Sequence, residues 1–260
     1  MMKLLESEDF NKREYMEGLK AERMRKGDEA FKVRDGVFDK STLMTLYDLI
    51  KSEKLDTVEG IVSTGKEANV FWGYTPERKE VAIKIHRVTA STFRNLWQYL
   101  IQDPRFKNIT KNHRQIVFSW TKREFKNISR LADSLPIPRP LHVKNNVLVM
   151  DFLGKEGVPY PQLKSTGTIE PKEDLEEILG YIKKMYELGI VHADLSEYNI
   201  LVGDEGLFLI DFSQGTVVQN TNSGEFLKRD IENIIRYFSR YTKTPSPEKV
   251  YGEIVGGSDE

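Results

Sequence analysis

Asp194 and Asn199 stand five positions apart in His192-Ala-Asp-Leu-Ser-Glu-Tyr-Asn199, a polar turn with apolar residues on both sides. About a dozen residues later, Leu207-Phe-Leu-Ile-Asp211-Phe212 reads as a buried strand ending in a second Asp. One acid that can accept a proton and two oxygen ligands for a hard divalent cation are what phosphoryl transfer on the protein-kinase plan requires. The Asp194–Asn199 offset matches the kinase catalytic loop, His-Arg-Asp-(four residues)-Asn. An Asx-rich turn after a helix would place the same two residue types there. Asp211 favours the chemical reading, because a strand-terminal carboxylate lies at the sheet edge where Mg²⁺ bridging β- and γ-phosphates would sit. Asp194 would then take the acceptor's hydroxyl proton or orient the acceptor.

Lys84 ends the alternating run Val81-Ala-Ile-Lys84, the pattern of a phosphate-anchoring kinase lysine. An edge-strand Lys that deters aggregation is the alternative, and four matching positions argue against it. Glu124, on a helix, is the candidate partner that aims Lys84. Ser63-Thr64-Gly65-Lys66-Glu67 lies between two strand-like runs and can cover phosphates with backbone N–H groups and hydroxyls. Gly60 and Gly65 also have Walker A spacing. A Walker loop, however, needs Ser or Thr where Glu67 stands and leads into a helix, whereas Ala68–Tyr74 alternates as a strand does.

These residues need a scaffold. The chain has 260 residues, 39% hydrophobic and 30% charged, enough for one large core or two small lobes. The formal net charge of −1 by itself implies neither a nucleic-acid binder nor an acidic protein, and no DNA partner is expected. No apolar run is long enough to span a membrane, and the start turns acidic too soon for a signal peptide. The lack of cysteine excludes disulfides and thiolate sites and fits a cytoplasmic protein.

Residues 1–38 read as a charged extension with a thinly apolar helix near Lys12–Arg25. Asp39 can cap a helix carrying Leu43, Leu46, Tyr47 and Ile50. Strands follow at Gly60–Ser63, Ala68–Tyr74 and Glu80–Ile85. Residues 86–114 read as an inserted segment, part helical around Trp97 and part polar, which could gate the site or touch a partner. A helix spans Gln115–Leu131, and Pro140–Val143 pairs with Val147–Phe152. Gly- and Pro-rich residues 154–167 suggest the link between lobes. Helices are predicted over Pro171–Leu188 and Glu225–Tyr241, with a hairpin between them, and residues 242–260 read as a loosely ordered tail. Arg105–Arg130 holds eight Lys or Arg against one acid, Glu124. That stretch is either a solvated face or a contact for RNA or another polyanion.

Together, Ser63-Thr-Gly-Lys-Glu-Ala-Asn-Val-Phe71, Val191-His-Ala-Asp-Leu-Ser-Glu-Tyr-Asn-Ile-Leu201 and Ile210-Asp-Phe-Ser-Gln214 resemble the RIO family of atypical serine kinases. The wording is nearest the Rio1 branch in an archaeal-length version, over roughly residues 40–240. The resemblance implies an α+β, two-lobed protein-kinase-like fold. Its N-lobe, residues 39–153, would be an antiparallel sheet plus helix. Its reduced, mainly helical C-lobe would be residues 154–241, with ATP and Mg²⁺ (or Mn²⁺) between the lobes. Adenine would meet the backbone of Asp151 and Leu153, with Met150 at the back of the pocket. Asp230 would support the catalytic loop, and Asp211 would be a candidate transient phosphate acceptor. The family implies ATPase as well as kinase behaviour, in maturation of the small ribosomal subunit with its protein and rRNA.

Ordinary kinases differ in several places, beginning with the nucleotide loop, which here has one Gly, Gly65, and with the Ala-Pro-Glu that does not follow Asp211 here. Ala193 replaces the Arg of His-Arg-Asp, Ser213 replaces the Gly of Asp-Phe-Gly, and the stretch from Asp211 to the last helix is too short for a usual activation segment. A nucleotide-switched binding module on pre-ribosomal particles and a small-molecule phosphotransferase are the competing readings.

Overall fold

The computed structural model describes residues 38–88, 96–97, 100, 103–106 and 112–257. The helix expected near Lys12–Arg25 and much of the inserted segment lie outside them. Helix α1 (Lys40–Lys51) is capped by Asp39, whose carboxylate accepts the Thr42 N–H at 2.7 Å. Strands β1 (Thr57–Thr64), β2 (Ala68–Tyr74) and β3 (Glu80–His86) form the expected meander, and β4 (Pro140–Lys144) and β5 (Val147–Asp151) complete it. The sheet order is β1-β2-β3-β5-β4, antiparallel throughout.

Strand β3 is central, and its period of two divides its side chains. Val81, Ile83 and Ile85 enter the core with Leu46, Leu49, Val147 and Val149 under α1. Ala82, Lys84 and His86 face the opposite side, where all three line a cleft. Helix α2 (His113–Leu131) crosses that side. Its first half packs Ile116, Val117 and Trp120 with Leu96 and Leu100, and its last turn gives Ile128 and Leu131 to the C-lobe core. One helix therefore touches both lobes.

The inter-lobe stretch is more structured than its composition suggests. Strands β6 (Gly154–Lys155) and β7 (Val158–Pro159) pair across left-handed Glu156 and Gly157, followed by a short helix, α3 (Leu163–Thr166). Helices α4 (Pro171–Glu187) and α5 (Ser223–Phe238) bury Leu175, Ile178, Ile182 and Met185 against Leu227, Ile231, Ile234 and Phe238. Between them lie β8 (Ile190–Val191), β9 (Ile200–Gly203), β10 (Gly206–Leu209) and β11 (Thr216–Val217).

Residues 242–260 are not a loose tail throughout. Ser246 caps helix α6 (Pro247–Gly256), and Val250 and Ile254, one turn apart, are buried on the C-lobe core. Tyr251 and Val255 pack beside them, so the helix presents an apolar face at i, i+1, i+4 and i+5 that is short enough to pass for a tail in the sequence. Strand β10 also stops at Leu209, short of the expected Phe212, because Asp211 turns left-handed at φ 64°. Among the described residues, no helix is long and apolar enough to cross a membrane.

Candidate active site

Hairpin β9–β10 explains why three residues distant in sequence converge. Asn199 precedes β9 and Ile210 follows β10, and the Ile210 N–H bonds the Asn199 carbonyl at 3.0 Å. Asn199 and Asp211 are thereby set side by side. Asp194 arrives on a loop whose preceding residue, Ala193, is left-handed at φ 65°. A non-glycine residue there costs about 1–3 kcal/mol unless its surroundings hold it. Asp230, on α5, supplies the hold. Its two oxygens accept the N–H groups of Ala193 (2.8 Å) and Leu195 (2.9 Å), one on each side of Asp194. Arg229 donates to the Ala193 carbonyl, and Asn233 to that of Leu195 at 3.1 Å. The support expected of Asp230 thus has a direct geometric form.

The second group centres on Lys84. Its Nζ lies 2.7 Å from Glu124 Oε1 and 2.8 Å from Asp211 Oδ1. Burial alone would lower the Lys84 pKa, but the Asp211 and Glu124 charges outweigh it and raise the pKa well above the usual lysine range. Asp211 mirrors this. Burial would raise its pKa, but Lys84, the Ser213 hydroxyl at 2.7 Å and His192 hold it well below the carboxylate range. Its side chain keeps 40% exposure into the cleft, so solvent screens part of that pull. Asp194 is shifted the other way, to about 6, by burial and then by the Asp211 charge. Two carboxylates in one cleft therefore have different characters, one a firm anion and one close to a base at working pH.

The cleft between the lobes has a volume of about 750 Å³. It brings together Ser63, Gly65 and Lys66 above, Met150, Asp151 and Leu153 at the hinge, and Lys84, Asp194, Asn199 and Asp211 within. Two expected site residues stand outside its lining. Thr64 is exposed at the end of β1 opposite Asn69, and Glu124 is buried behind Lys84. Gly65 closes the turn by donating its N–H to the Ala68 carbonyl at 2.9 Å, where a side-chain carbon would itself come within 2.9 Å of that oxygen. Strand β2 follows directly, so the Walker A alternative is excluded. At the hinge the Asp151 N–H bonds the Arg139 carbonyl and the Tyr160 N–H bonds the Leu153 carbonyl, both at 2.9 Å.

Among the described residues, no three His, Asp or Glu side chains form a metal cage. The donor set does fit Mg²⁺ beside phosphate, which typically uses one or two protein oxygens and retains waters. The Asn199 amide nitrogen is fixed on the Asp194 carbonyl at 2.9 Å, which turns its oxygen away from that bond and makes it a candidate ligand beside Asp211.

Several residues here were not singled out from sequence. His86 Nε2 bonds Glu124 Oε2 at 3.0 Å, filling the second oxygen of the carboxylate that holds Lys84. Alternation from Lys84 would have pointed to it. Glu67 lines the cleft, its pKa raised by burial and by Asp211. Gln214 donates to Asp194 Oδ2 at 3.2 Å. Arg105 and Arg123, counted in the basic stretch, turn inward onto Asp103, leaving Arg114, Lys122, Lys126 and Arg130 exposed.

His192 is buried beneath the catalytic loop, donating Nε2–H to the Ile210 carbonyl at 3.1 Å. Burial lowers its pKa from 6.5 to about 4. Between those values the unfolded chain binds a proton that the folded chain excludes, so stability falls as pH drops from 6.5 towards 4. The loss is at most about 3 kcal/mol, and none of it is felt above the unfolded value. Urea unfolding at several pH values should show this slope, flattened in His192→Gln. Equal slopes in the two proteins would contradict it.

Known proteins bear on this geometry. The RIO domain family matches residues 69–250. The RIO-type serine/threonine-protein kinase Rio1 of Haloferax volcanii is 37% identical over 240 residues, 92% of this chain and 83% of that protein. The Methanocaldococcus jannaschii protein of the same name is 38% identical over 255 residues, 97% of this chain and 87% of its own length. The human serine/threonine-protein kinase RIO1 is 34% identical over 212 residues, 79% of this chain and 37% of that longer protein. Among solved structures, the Rio2 kinase–ADP/Mg²⁺–phosphoaspartate complex of Chaetomium thermophilum covers 84% of this chain and 70% of its own. Its TM-score is 0.61 at 18% identity, a likeness of fold. The matched residues hold β2–β5, the catalytic loop and the Asp211 loop, and with them the chain belongs to the RIO family of serine/threonine-protein kinases.

Proposed function

We propose that this chain transfers the γ-phosphoryl group of ATP, with Mg²⁺ (or Mn²⁺), to a serine hydroxyl or to water, in maturation of the small ribosomal subunit. The observation that carries the reading is the convergence of Lys84, Asp194, Asn199 and Asp211 in one cleft beneath a phosphate-covering turn. Lys84, aimed by Glu124, binds phosphate oxygens. The hinge backbone and Met150 receive the adenine. Asn199 and Asp211 would hold the cation, which when bound neutralises charge on the phosphates. Asp194 accepts the hydroxyl proton at its carboxylate, and its raised pKa suits that role.

The Rio2 structure holds a phosphoaspartate, and this supports Asp211 as a transient acceptor. In that branch an Asp211 oxygen bonds the γ-phosphorus as the bond to the ADP oxygen breaks. Water later releases phosphate. The ribosomal role rests on the family, with the exposed Arg114, Lys122, Lys126 and Arg130 of α2 as a surface for rRNA. Only a short segment separates Asp211 from α5, which leaves little to grip a peptide and favours ATP hydrolysis over broad kinase activity.

Incubation with γ-labelled ATP and Mg²⁺ tests this. Label is expected as acid-stable phosphoserine, as hydroxylamine-labile aspartyl phosphate or as released phosphate, and in none of these forms for Asp211→Asn. A wild-type protein that binds Mg·ATP but yields none of the three would leave the nucleotide-switched binding module as the better reading.

A further inference from the structure

The inserted segment and the active site are joined by a buried chain of polar contacts that the proposed chemistry does not use. Asn127 lies on α2 one turn after Glu124 and is fully buried. Its Nδ2 donates to two carbonyls of the loop after Asp211, Phe212 at 3.0 Å and Gly215 at 2.7 Å. Gly215 permits this approach, since a side-chain carbon there would lie 2.8 Å from Asn127 Nδ2. The loop needs such a hold because Asp211 is left-handed.

Asn127 is oriented in turn by Arg105, in the short helical turn Pro104–Phe106. Arg105 donates from one guanidinium nitrogen to Asn127 Oδ1 at 2.9 Å, which fixes the amide with its nitrogen towards the loop. The rest of the Arg105 fork grips Asp103, through Nε at 2.9 Å and Nη2 at 2.6 Å. Asp103 is buried and forms an ion pair with Arg123, Oδ2 to Nε 3.1 Å, and Arg123 Nη2 donates to the Gln214 carbonyl at 3.2 Å. The Gln214 side chain then bonds Asp194. Three loop carbonyls and the proposed base thus depend on two α2 side chains whose orientation is set by Asp103 and Arg105.

We infer that Arg105 and Asn127 are positioning residues, which hold the Asp211 loop in its metal-binding shape so that the contact of Asp103 and Arg105 with α2 sets the rate of phosphoryl transfer. The inference rests on the proposed function for its kinetic and metal-binding parts, and on geometry for the hold of Asn127 on the loop. The planar fork of Arg105 bonds Asp103 and Asn127 together, which a lysine cannot do.

The test uses the full chain with Arg105→Gln, Arg105→Lys, Asn127→Ala and the Arg105→Gln/Asn127→Ala double variant. Partners that orient metal ligands typically matter by about 10–100-fold in affinity or activity. We therefore expect kcat to fall by about that factor with the KM for ATP changed less than about threefold. Mn²⁺ affinity of the ATP-bound protein, read by paramagnetic resonance, should fall by a similar factor, while metal-free ADP binding is retained. Arg105→Lys should fail to restore either property. The double variant should lose no more than the worse single one, because the two residues act in series.

Arg105 is partly exposed, so its variants are expected to fold even if Asn127→Ala does not. Arg105 variants that melt like wild type and keep both kcat and Mn²⁺ affinity within about twofold would overturn the inference, since a positioning partner is worth more than that. So would additive losses in the double variant. If wild type transfers no phosphate at all, the proposed chemistry fails, while the Mn²⁺ measurement still decides the positioning role.

Discussion

Asp194→Ala is expected to lower kcat by about 10²–10⁴-fold while ATP still binds. The separation follows from how the loop is held. The backbone on both sides of Asp194 is fixed by Asp230. Among the described residues, the Asp194 side chain itself is bonded only by Gln214, so removing it need not move the loop. Lys84, Asp211 and the hinge, which would bind the nucleotide, are untouched. Single-turnover kinetics with a parallel nucleotide titration would show a large loss in the chemical step and little change in affinity. Turnover close to wild type in the variant would remove Asp194 from the mechanism. Asp230→Ala should behave differently, because the left-handed Ala193 would lose its carboxylate bond and Leu195 the other, and stability and activity should fall together.

Lys84 ties stability to chemistry, and the two can be separated. Glu124 has 1% side-chain exposure and Lys84 8%. Lys84→Met would leave Glu124 as a buried charge with His86 as its remaining described partner, at a cost of about 3–5 kcal/mol. Replacing both partners removes the stranded charge, and the amide introduced by Glu124→Gln keeps an oxygen for the His86 bond. Lys84→Met/Glu124→Gln should therefore recover most of the stability of the single variant and none of the activity, since no cation remains to hold phosphate. Urea unfolding and ATP turnover on the three proteins test this. A Lys84→Met protein as stable as wild type, or a double variant less stable than the single one, would contradict the buried-pair account.

The parts legible in the sequence were those with local patterns. Alternation along Val81–His86 separates a core face from a cleft face, and the structure uses it that way. The turn Gly203–Gly206 between apolar runs marks the hairpin that unites Asn199 with Asp211. What escaped depends on tertiary contact. Left-handed Ala193 and the loop after left-handed Asp211 are held in part by Asp230 and Asn127, far away in the chain. Arg105 and Arg123 count as basic residues until Asp103, near the first in sequence and the second in space, is seen to pair with both. Helix α6 is only ten residues long, and its face of Val250, Tyr251, Ile254 and Val255 becomes evident against the C-lobe core.

The central claim is that Mg·ATP sits between the lobes, with its phosphates on Lys84 and its metal on Asn199 and Asp211. A crystal of the full chain soaked with ATP and Mn²⁺, and read by anomalous scattering, tests this most directly. The account predicts a manganese peak about 2.1 Å from an Asp211 carboxylate oxygen and the Asn199 amide oxygen, with the γ-phosphate facing Asp194. A metal bound away from both residues, or a nucleotide whose phosphates do not approach Lys84, would contradict it.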